Sequence, residues 1–245
     1  MKQGIFTVSS NRLLAKNTFE IKLSGDTDAI LRPGQFVNLK LDGFYLRRPL
    51  SVCDWKENEL TLIYKVVGEG TKALSKMCPG QAIDILTGLG NGYDLAKSGD
   101  KPLLIGGGAG VPPLYALAKR LIGEGKEVTV IAGFNAKDEI FYEEEFRAIG
   151  AKVIIATADG SAGVRGFVTD AMKEIEEYSY VYTCGPEPML RAVYGASSSS
   201  GQFSFEERMG CGFGACMGCS CETLYGTKRI CKDGPVLEKE EIRWA

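Results

Sequence analysis

Hydrophobic and polar residues alternate over short stretches in the first part of the chain. The stretches IFTVSSN, FEIKLSG, QFVNLKL, LTLIYKVV and QAIDILTG are rich in β-forming residues, and Gly, Asn, Asp and Pro stand between them. Alternation with a period of two places one face of each strand in a core. Residues 1–99 are therefore predicted to form a small antiparallel β-barrel of short strands.

The pattern changes at about Lys101. Continuous apolar runs such as PLLIGG, EVTVIAGF and KVIIATADG now alternate with helix-like stretches such as PPLYALAKRLIGEG, IFYEEEFRAIG and GFVTDAMKEIEEY. Strands that alternate with helices predict a doubly wound parallel sheet, here over residues 100–204. The small polar run GASSSSG at 195–201 is predicted to be a linker or surface loop. A separate small domain is expected at 205–245, which makes the predicted fold multi-domain.

Composition narrows the possible chemistry. The chain has 245 residues, of which 44% are hydrophobic and 24% charged, with a net charge of −2 and no histidine. This balance predicts neither a nucleic-acid nor a membrane partner, and the strand-like N-terminal pattern predicts a cytoplasmic location. The lack of histidine excludes Ser-His-Asp and Cys-His catalysis. Any redox chemistry must therefore come from bound cofactors.

Four cysteines near the C-terminus carry the most specific signal. Cys211, Cys216 and Cys219 have the spacing C-x4-C-x2-C, and Cys231 follows after a short insert. This spacing is typical of the thiolate ligands of a plant-type [2Fe–2S] cluster. Such a cluster carries single electrons, so the sequence predicts a redox protein.

Structural zinc and disulfides are the alternatives for these cysteines. Zinc sites usually combine one C-x2-C pair with a second pair or with histidines, and the chain has no histidine. Disulfides are rare in proteins without a signal peptide. Cys221 is a spare cysteine beside Cys219, predicted to be a neighbour of the cluster; whether it replaces Cys231 as fourth ligand stays open.

The motif RPLS, formed by Arg48, Pro49, Leu50 and Ser51, is predicted to follow a barrel strand. Pro49 would fix a turn there, while Arg48 and Ser51 would offer hydrogen-bond donors to a phosphate group. A surface arginine beside a turn is the alternative interpretation of so short a motif.

A second stretch of the barrel strengthens the phosphate interpretation. Ile63, Tyr64 and Lys65 end a predicted strand whose backbone amides could meet a flavin edge, with Tyr64 stacking on a flat ring. Gly70 and Thr71 follow at a predicted helix start, where backbone N–H groups favour anions. Together with an arginine, such a helix start suits a pyrophosphate; an ordinary turn and helix cap is the alternative.

A glycine-rich turn joins the first strand of the α/β part to its helix. The candidate nucleotide-binding residues are Gly106, Gly108, Gly110 and Val111. The match to G-x-G-x-x-G is incomplete, because proline stands at the last position, but the strand–turn–helix context suits a dinucleotide. A tight turn that binds nothing is the alternative.

Two further segments follow predicted strands and would face the same crevice, since ligands of open α/β sheets lie at the carboxyl ends of strands. The first contributes Cys184, Gly185, Pro186, Glu187 and Met189. The second contributes Asp159. Cys184 could contact a nicotinamide or could pack in the core, and Asp159 could instead form a local loop turn.

In their order along the chain, RPLS, YKVVGEGT, GGGAGVPP, CGPEPML and the four cysteines resemble the ferredoxin-NADP reductase superfamily. Within it, the chain resembles the electron-transfer subunits of class 1B dihydroorotate dehydrogenases. The resemblance implies that residues 48–51, 63–65 and 70–71 bind FAD. It also implies that residues 106–112 and 184–189 bind NAD(H), and that the four cysteines bind the cluster.

The resemblance further implies a partner. This would be an FMN-containing catalytic subunit that oxidises dihydroorotate to orotate, assembled with this chain as a heterotetramer of two subunits of each kind. Because a flavin exchanges electrons both singly and in pairs, FAD is expected between the one-electron cluster and the two-electron carrier NAD⁺. The acidic stretch AGFNAKDEIFYEEEF favours NAD over NADP, whose 2′-phosphate prefers arginines.

Two other functions stay open at this stage. The same reductase core could serve another partner, such as ferredoxin, a sulfite reductase or a hydrogenase. A nucleotide-binding regulatory module with structural zinc would instead be colourless and would have no catalytic role.

Overall fold

A computed structural model describes residues 1–244 of the chain. Its N-terminal part is a closed antiparallel barrel with the strand order β1-β2-β5-β4-β3-β6, as predicted. The strands are β1 (Lys2–Ala15), β2 (Thr18–Ser24), β3 (Phe36–Lys40), β4 (Arg48–Lys56), β5 (Glu59–Lys65) and β6 (Ala82–Leu89). Strand β1 is long enough to pair with both β2 and β6, which closes the barrel.

Strand β4 corrects the prediction for RPLS. Arg48–Ser51 form the first half of β4 rather than a turn after a strand, and Pro49 lies opposite Asn38 of β3. A proline fits here because the motif pairs only on its β3 side. On the other side, the pairing of β4 with β5 begins at Val52, opposite Leu62. Among the described residues, Arg48–Ser51 and Ile63–Lys65 are not paired to each other, so the two strands diverge there.

The second part is a seven-stranded sheet with the order β10-β9-β8-β7-β11-β12-β15. Its strands are β7 (Pro102–Gly107), β8 (Thr129–Phe134), β9 (Lys152–Thr157), β10 (Val164–Arg165), β11 (Tyr180–Cys184), β12 (Gly201–Ser204) and β15 (Val236–Glu238). All neighbouring pairs are parallel except β12 with β15. The strand order reverses between β7 and β11, which is where a doubly wound sheet opens its ligand crevice.

Helix α1 (Glu69–Leu74) lies between β5 and β6 of the barrel, and four helices accompany the sheet: α2 (Pro113–Gly123), α3 (Glu143–Ala148), α4 (Val168–Met172) and α5 (Glu187–Ala196). Helix α2 buries Leu114, Leu117 and Leu121 on one face, at the spacing of an amphipathic helix. Helix α4 is shorter than the predicted stretch GFVTDAMKEIEEY. None of the helices in residues 1–244 is both long and apolar enough to span a membrane.

The barrel and the α/β sheet share one hydrophobic core. Cys53 and Ile63 of the barrel belong to the same buried cluster as Leu114, Leu117 and Tyr182 of the α/β part. At the rim of this contact Lys119 forms an ion pair of 2.7 Å with Asp54. The two parts are therefore packed directly against each other, and a ligand between them contacts both.

The C-terminal segment is less separate than predicted. After an irregular loop, β13 (Ser220–Thr223) and β14 (Gly226–Arg229) form a two-stranded hairpin. The chain then returns to the α/β sheet, where β15 pairs with β12. Of the predicted loop 195–201, only residues 197–200 lie between α5 and β12. The domain division at residue 205 thus stays a prediction, and it does not coincide with an edge of the sheet.

Candidate functional site

Arg48 stands at the point where β4 and β5 diverge. Its guanidinium donates to the Leu46 carbonyl at 2.6 Å and lies 4.9 Å from the centre of the Phe44 ring. A Cβ at Gly70 would overlap this guanidinium, so glycine lets the start of α1 approach the arginine. The two FAD-binding segments predicted at 48–51 and 70–71 therefore lie side by side. A fixed cation beside unpaired strand edges suits a pyrophosphate.

The second part of the predicted FAD site is only partly as expected. Along β5, Tyr64 turns into the barrel, where its ring stacks on Phe19 with centroids 5.8 Å apart and is 2% exposed. Burial raises the pKa of Tyr64 to about 12, although its bond to Asn11 acts in the opposite direction. The Tyr64 ring is therefore not open to a flavin, because strand alternation directs it inward. The backbone of Ile63–Lys65 remains on the unpaired edge.

Thr71 acts as a helix cap. Its hydroxyl oxygen accepts hydrogen bonds from the backbone N–H groups of Val67 and Gly68 at 3.0 and 3.2 Å. It also donates to the Gly68 carbonyl at 3.1 Å. The cap interpretation thus accounts for the Thr71 hydroxyl, and its predicted contact with FAD stays a prediction.

A cleft of about 600 Å³ opens at the carboxyl end of the α/β sheet. Its walls come from the glycine-rich turn after β7, from the end of β8, and from the starts of α4 and α5. Lys65 of the barrel closes one side. The volume and the position at the strand-order reversal suit a dinucleotide half.

Of the residues predicted to bind NAD(H), some line the cleft, some support it from behind, and others lie away from it. Those that line the cleft are Gly108, Pro186 and Met189, which lie there together with Lys65 of the predicted FAD site. Those that support it from behind are Gly106, Gly110, Val111, Cys184 and Gly185, all buried. Gly108 has φ +51° with open space beside it, a conformation that favours glycine.

Cys184, Asp159 and Glu187 do not line the cleft. Cys184 is 2% exposed, and burial raises the pKa of its thiol to about 12, which agrees with the packing alternative. Asp159 accepts bonds from the amide and hydroxyl of Ser161 at 2.9 and 2.6 Å, the local turn considered above. Glu187 pairs with Arg191 on the helix surface.

Backbone-to-sulfur hydrogen bonds link the four cysteines that are predicted to bind the cluster into two pairs. The backbone N–H groups of Ala215 and Cys216 donate to the Cys211 sulfur at 3.3 and 3.5 Å. The N–H of Cys231 donates to the Cys219 sulfur at 3.4 Å. In residues 1–244, no three or more cysteine and acidic side chains converge as one metal ion would require. Two thiols for each of two irons is the arrangement that fits the pairs.

The local electrostatics favour thiolates at the first pair. Burial alone would raise the pKa of the Cys211 thiol, but the backbone amides of Cys216, Phe213 and Ala215 lower it below the ordinary cysteine value. Hydrogen bonding to a charged form stabilises that form. The loop is thus built to present amides to sulfur, as a cluster site requires.

An arginine braces the cluster loop from the hairpin side. Arg229 donates to the Gly214 carbonyl at 3.1 Å and forms a two-pronged ion pair with Asp233 at 2.9 and 3.2 Å. Cys231 lies between these two charged residues in the sequence. The brace therefore fixes the loop that carries Cys211 and Cys216 relative to the turn that carries Cys231.

Comparisons with known proteins match this arrangement. Residues 206–243 match the iron-sulfur cluster binding domain of dihydroorotate dehydrogenase B, and residues 104–194 match the oxidoreductase NAD-binding domain. A dihydroorotate dehydrogenase B (NAD(+)) electron transfer subunit from Geobacillus sp. (strain WCH70) is 46% identical, covering 99% of each chain. The Fusobacterium nucleatum protein of the same name is 44% identical with the same coverage.

The chain belongs to this family of electron transfer subunits. Among solved structures, a chain of an NADH-dependent reduced ferredoxin-NADP oxidoreductase has a TM-score of 0.89 at 30% identity, covering 98% of this chain and 90% of that one. The ferredoxin reductase in carbazole 1,9a-dioxygenase, at 23% identity and a TM-score of 0.71, shares the fold over 80% of this chain and 65% of that one. The matched domains and reductase neighbours support [2Fe–2S], NAD and FAD as the cofactors of this family member.

Sequence reasoning missed several residues of the site of this electron transfer subunit. Glu139 lines the cleft, pairs with Lys65 at 3.2 Å and accepts from Asn135 at 2.9 Å. Residues 166–169 form the cleft wall at the start of α4. Asp233 directly precedes Gly234-Pro235, a dipeptide that is a turn signal and so could have indicated an ordered turn here. Nothing in the sequence pattern distinguished Asn38, which contacts the cluster loop.

Substituting Gly110 by alanine tests the supporting role of the glycine turn. A Cβ there would overlap the Cys184 carbonyl, so we expect a loss of about 1–3 kcal/mol of stability together with weaker NADH binding. Gly195→Ala is the matched control, since it lies in α5 with free space and should stabilise by about 0.5–1 kcal/mol. Thermal melting and NADH titration report both effects. Unchanged melting in Gly110→Ala would contradict the close approach.

Substituting Arg229 by alanine tests the brace. Residues that support metal ligands typically contribute about 10–100-fold in metal affinity, and we expect losses of iron and sulfide in that range under chelator challenge. Arg243→Ala is the control, because it removes an exposed arginine from the same C-terminal part of the chain. Equal chelator resistance of the two variants would show that the brace does not hold the cluster.

Proposed function

We propose that this chain is the electron transfer subunit of an NAD-dependent dihydroorotate dehydrogenase. It would accept electrons from a catalytic partner subunit and pass them to NAD⁺. The observation that supports this most strongly is the match of its relatives over 99% of the chain, including the cluster domain at 206–243. The geometry agrees, because the cluster loop, the strand gap at Arg48 and the nucleotide cleft lie on one packed unit.

The cofactors would supply the electron chemistry: NAD⁺ takes a hydride, the cluster takes single electrons, and a flavin exchanges both. The residues of the chain bind and orient these groups. Arg48 would neutralise the pyrophosphate of FAD, and the edges of β4 and β5 would offer backbone hydrogen bonds to its ring. Gly108 and Met189 would hold the nicotinamide nucleotide in the cleft. The paired thiols of Cys211, Cys216, Cys219 and Cys231 would ligate the two irons.

The partner follows from the subunit name that the relatives carry, which implies a catalytic dihydroorotate dehydrogenase subunit. We propose that this partner holds FMN, where dihydroorotate loses two electrons and two protons to become orotate. We further propose two subunits of each kind and a cytoplasmic location. The two electrons would then pass from FMN through [2Fe–2S] and FAD to NAD⁺, so that one NADH forms for each dihydroorotate oxidised.

The charge of the cleft supports NAD rather than NADP. Of the described residues that line it, Lys65 is the only cation, and Glu139 already pairs with it. A 2′-phosphate would favour an arginine in the same place.

A second function has one observation in its favour. The 30% identity and TM-score of 0.89 to a chain of an NADH-dependent reduced ferredoxin-NADP oxidoreductase leave room for another electron partner. The identity of 46% to the dihydroorotate dehydrogenase B subunits favours the first function.

Co-purification with the FMN subunit and an anaerobic assay test the proposal. We expect dihydroorotate to reduce NAD⁺ in the complex, and the FMN subunit alone to reduce a dye but not NAD⁺. NADP⁺ should be a poor substitute. NADH formation by the FMN subunit without this chain would contradict the proposal. A complex that fails with dihydroorotate but reduces ferredoxin from NADH would favour the second function.

A further inference from the structure

A polar side chain of the barrel is hydrogen-bonded to the loop that carries Cys211. Asn38 lies in the middle of β3 and is 1% exposed, and its amide nitrogen donates a hydrogen bond of 3.3 Å to the backbone carbonyl of Cys211. Cys211 is one of the four predicted cluster ligands. The contact joins residues 173 positions apart, so it exists only because the loop folds back onto the barrel.

The loop is shaped to accept this contact. Gly212, directly after Cys211, has φ +79°, and a Cβ there would overlap the amide nitrogen of Asn38. Any other residue at 212 would be strained and would push the loop away from β3. Two independent features, the hydrogen bond and the absence of a side chain at 212, therefore bring the same end of the loop against the same amide.

Asn38 also lies beside the predicted flavin site. It stands directly opposite Pro49 of the RPLS motif in the β3–β4 pairing, and cross-strand partners share one face of a sheet. Val37 and Leu39, its neighbours along β3, point into the barrel core. The face that carries Asn38 and Pro49 is thus the outer face, on which the cluster loop rests.

The amide is not explained by barrel stability alone. Its oxygen is buried and has no hydrogen-bond partner among the described residues. A half-satisfied buried amide is unfavourable compared with an apolar residue of similar size. An amide at this position therefore agrees better with a contact to the cluster loop than with packing alone.

We propose that Asn38 is a positioning residue that holds the Cys211 end of the cluster loop against the strand pair of the flavin site, and so sets the rate of electron exchange between the two sites. The inference rests on the proposed FAD and cluster sites, but it does not depend on the identity of the partner subunit. Electrons enter as a hydride from NADH, two at a time, and pass from the flavin site to the cluster singly.

Asn38→Ala and Asn38→Asp test the proposal in the purified chain with its cofactors. Rapid mixing with NADH under anaerobic conditions gives the rate of flavin bleaching, and freeze-quench EPR gives the rate at which reduced cluster appears. We expect flavin bleaching within about twofold of wild type and cluster reduction slower by about tenfold, as a small displacement of reacting groups can cause.

Thr27→Val is the matched control, since it removes one buried side-chain bond of the barrel, to the Lys56 carbonyl at 2.9 Å, away from the loop. It should change neither rate. Gly212→Ala disturbs the same contact from the loop side and should reproduce the Asn38→Ala result.

Cluster reduction at the wild-type rate in an Asn38 variant that retains its iron would overturn the proposal. Loss of iron from both Asn38 variants with FAD retained would also overturn it, by showing a purely structural role. A wild-type chain that NADH does not reduce would instead contradict the proposed function.

Discussion

Replacing Cys231 with serine is expected to abolish the cluster while FAD stays bound. Cys231 is 2% exposed and its backbone N–H donates to the Cys219 sulfur at 3.4 Å, so the two residues are neighbours, as two ligands of one iron would be. A serine hydroxyl is a poor substitute for a thiolate at an iron–sulfur cluster. We expect iron and acid-labile sulfide to fall by about tenfold or more and the visible cluster absorbance to disappear.

Cys221→Ser is the matched control for this prediction. Cys221 lies in β13, two residues after Cys219, and is paired through its backbone with Lys228. Its side chain is half-buried. Iron content should stay at the wild-type level in this variant. The opposite pattern, with iron lost from Cys221→Ser and kept in Cys231→Ser, would make Cys221 the fourth ligand.

The second large effect is expected from Arg48→Ala. Removing the guanidinium removes the fixed cation at the gap between β4 and β5, and a hydrogen bond to a charged group contributes about 1.5–3 kcal/mol. We therefore expect FAD to bind about 10–100-fold more weakly, as measured by flavin retained after gel filtration and by fluorescence titration of the apoprotein. Iron content should remain unchanged, because the cluster loop does not contact Arg48.

Arg32→Ala controls for the loss of a positive charge on the barrel. Arg32 is exposed and precedes β3, away from the gap that Arg48 occupies. It should bind FAD as wild type does. Equal FAD affinity in Arg48→Ala and Arg32→Ala would mean that Arg48 is an ordinary surface arginine at the start of β4 and not a phosphate ligand.

The two large parts of the fold could be predicted from the sequence because their hydrophobic periods differ. Leu60, Leu62 and Tyr64 alternate into the barrel, whereas α2 repeats Leu114, Leu117 and Leu121 at helical spacing. Hydrophobic periodicity could not predict the start of β4, because RPLS begins with an arginine and a proline and shows no alternation. Only the pairing with β3, a non-local contact, makes it a strand.

The return of the chain to the α/β sheet could not be predicted either. Strand β15 has three residues, too few to show any period, and its place beside β12 depends on the path of the whole cluster segment, a non-local feature. The same limit applies to Tyr64. The sequence shows an aromatic residue at the end of a strand, but whether it faces a ligand or Phe19 depends on the register of β5 against β2.

The candidate site was predictable where spacing alone defines the chemistry. The cysteine spacing required no three-dimensional information, and the glycine turn needed only its place between a strand and a helix. Asn38 and Glu139 could not be found this way, because each acts through a partner more than 70 positions away, Cys211 and Lys65 respectively. Residues that join sites become visible only when the fold is known.

The most direct test of the account is an anaerobic titration of the purified chain with NADH. Absorbance and EPR are recorded beside flavin, iron and sulfide analysis. We expect one FAD and one [2Fe–2S] cluster per chain, with the flavin band bleached by NADH and the signal of a reduced cluster appearing with it. A colourless protein that contains zinc, or a flavin that NADH leaves oxidised, would contradict it.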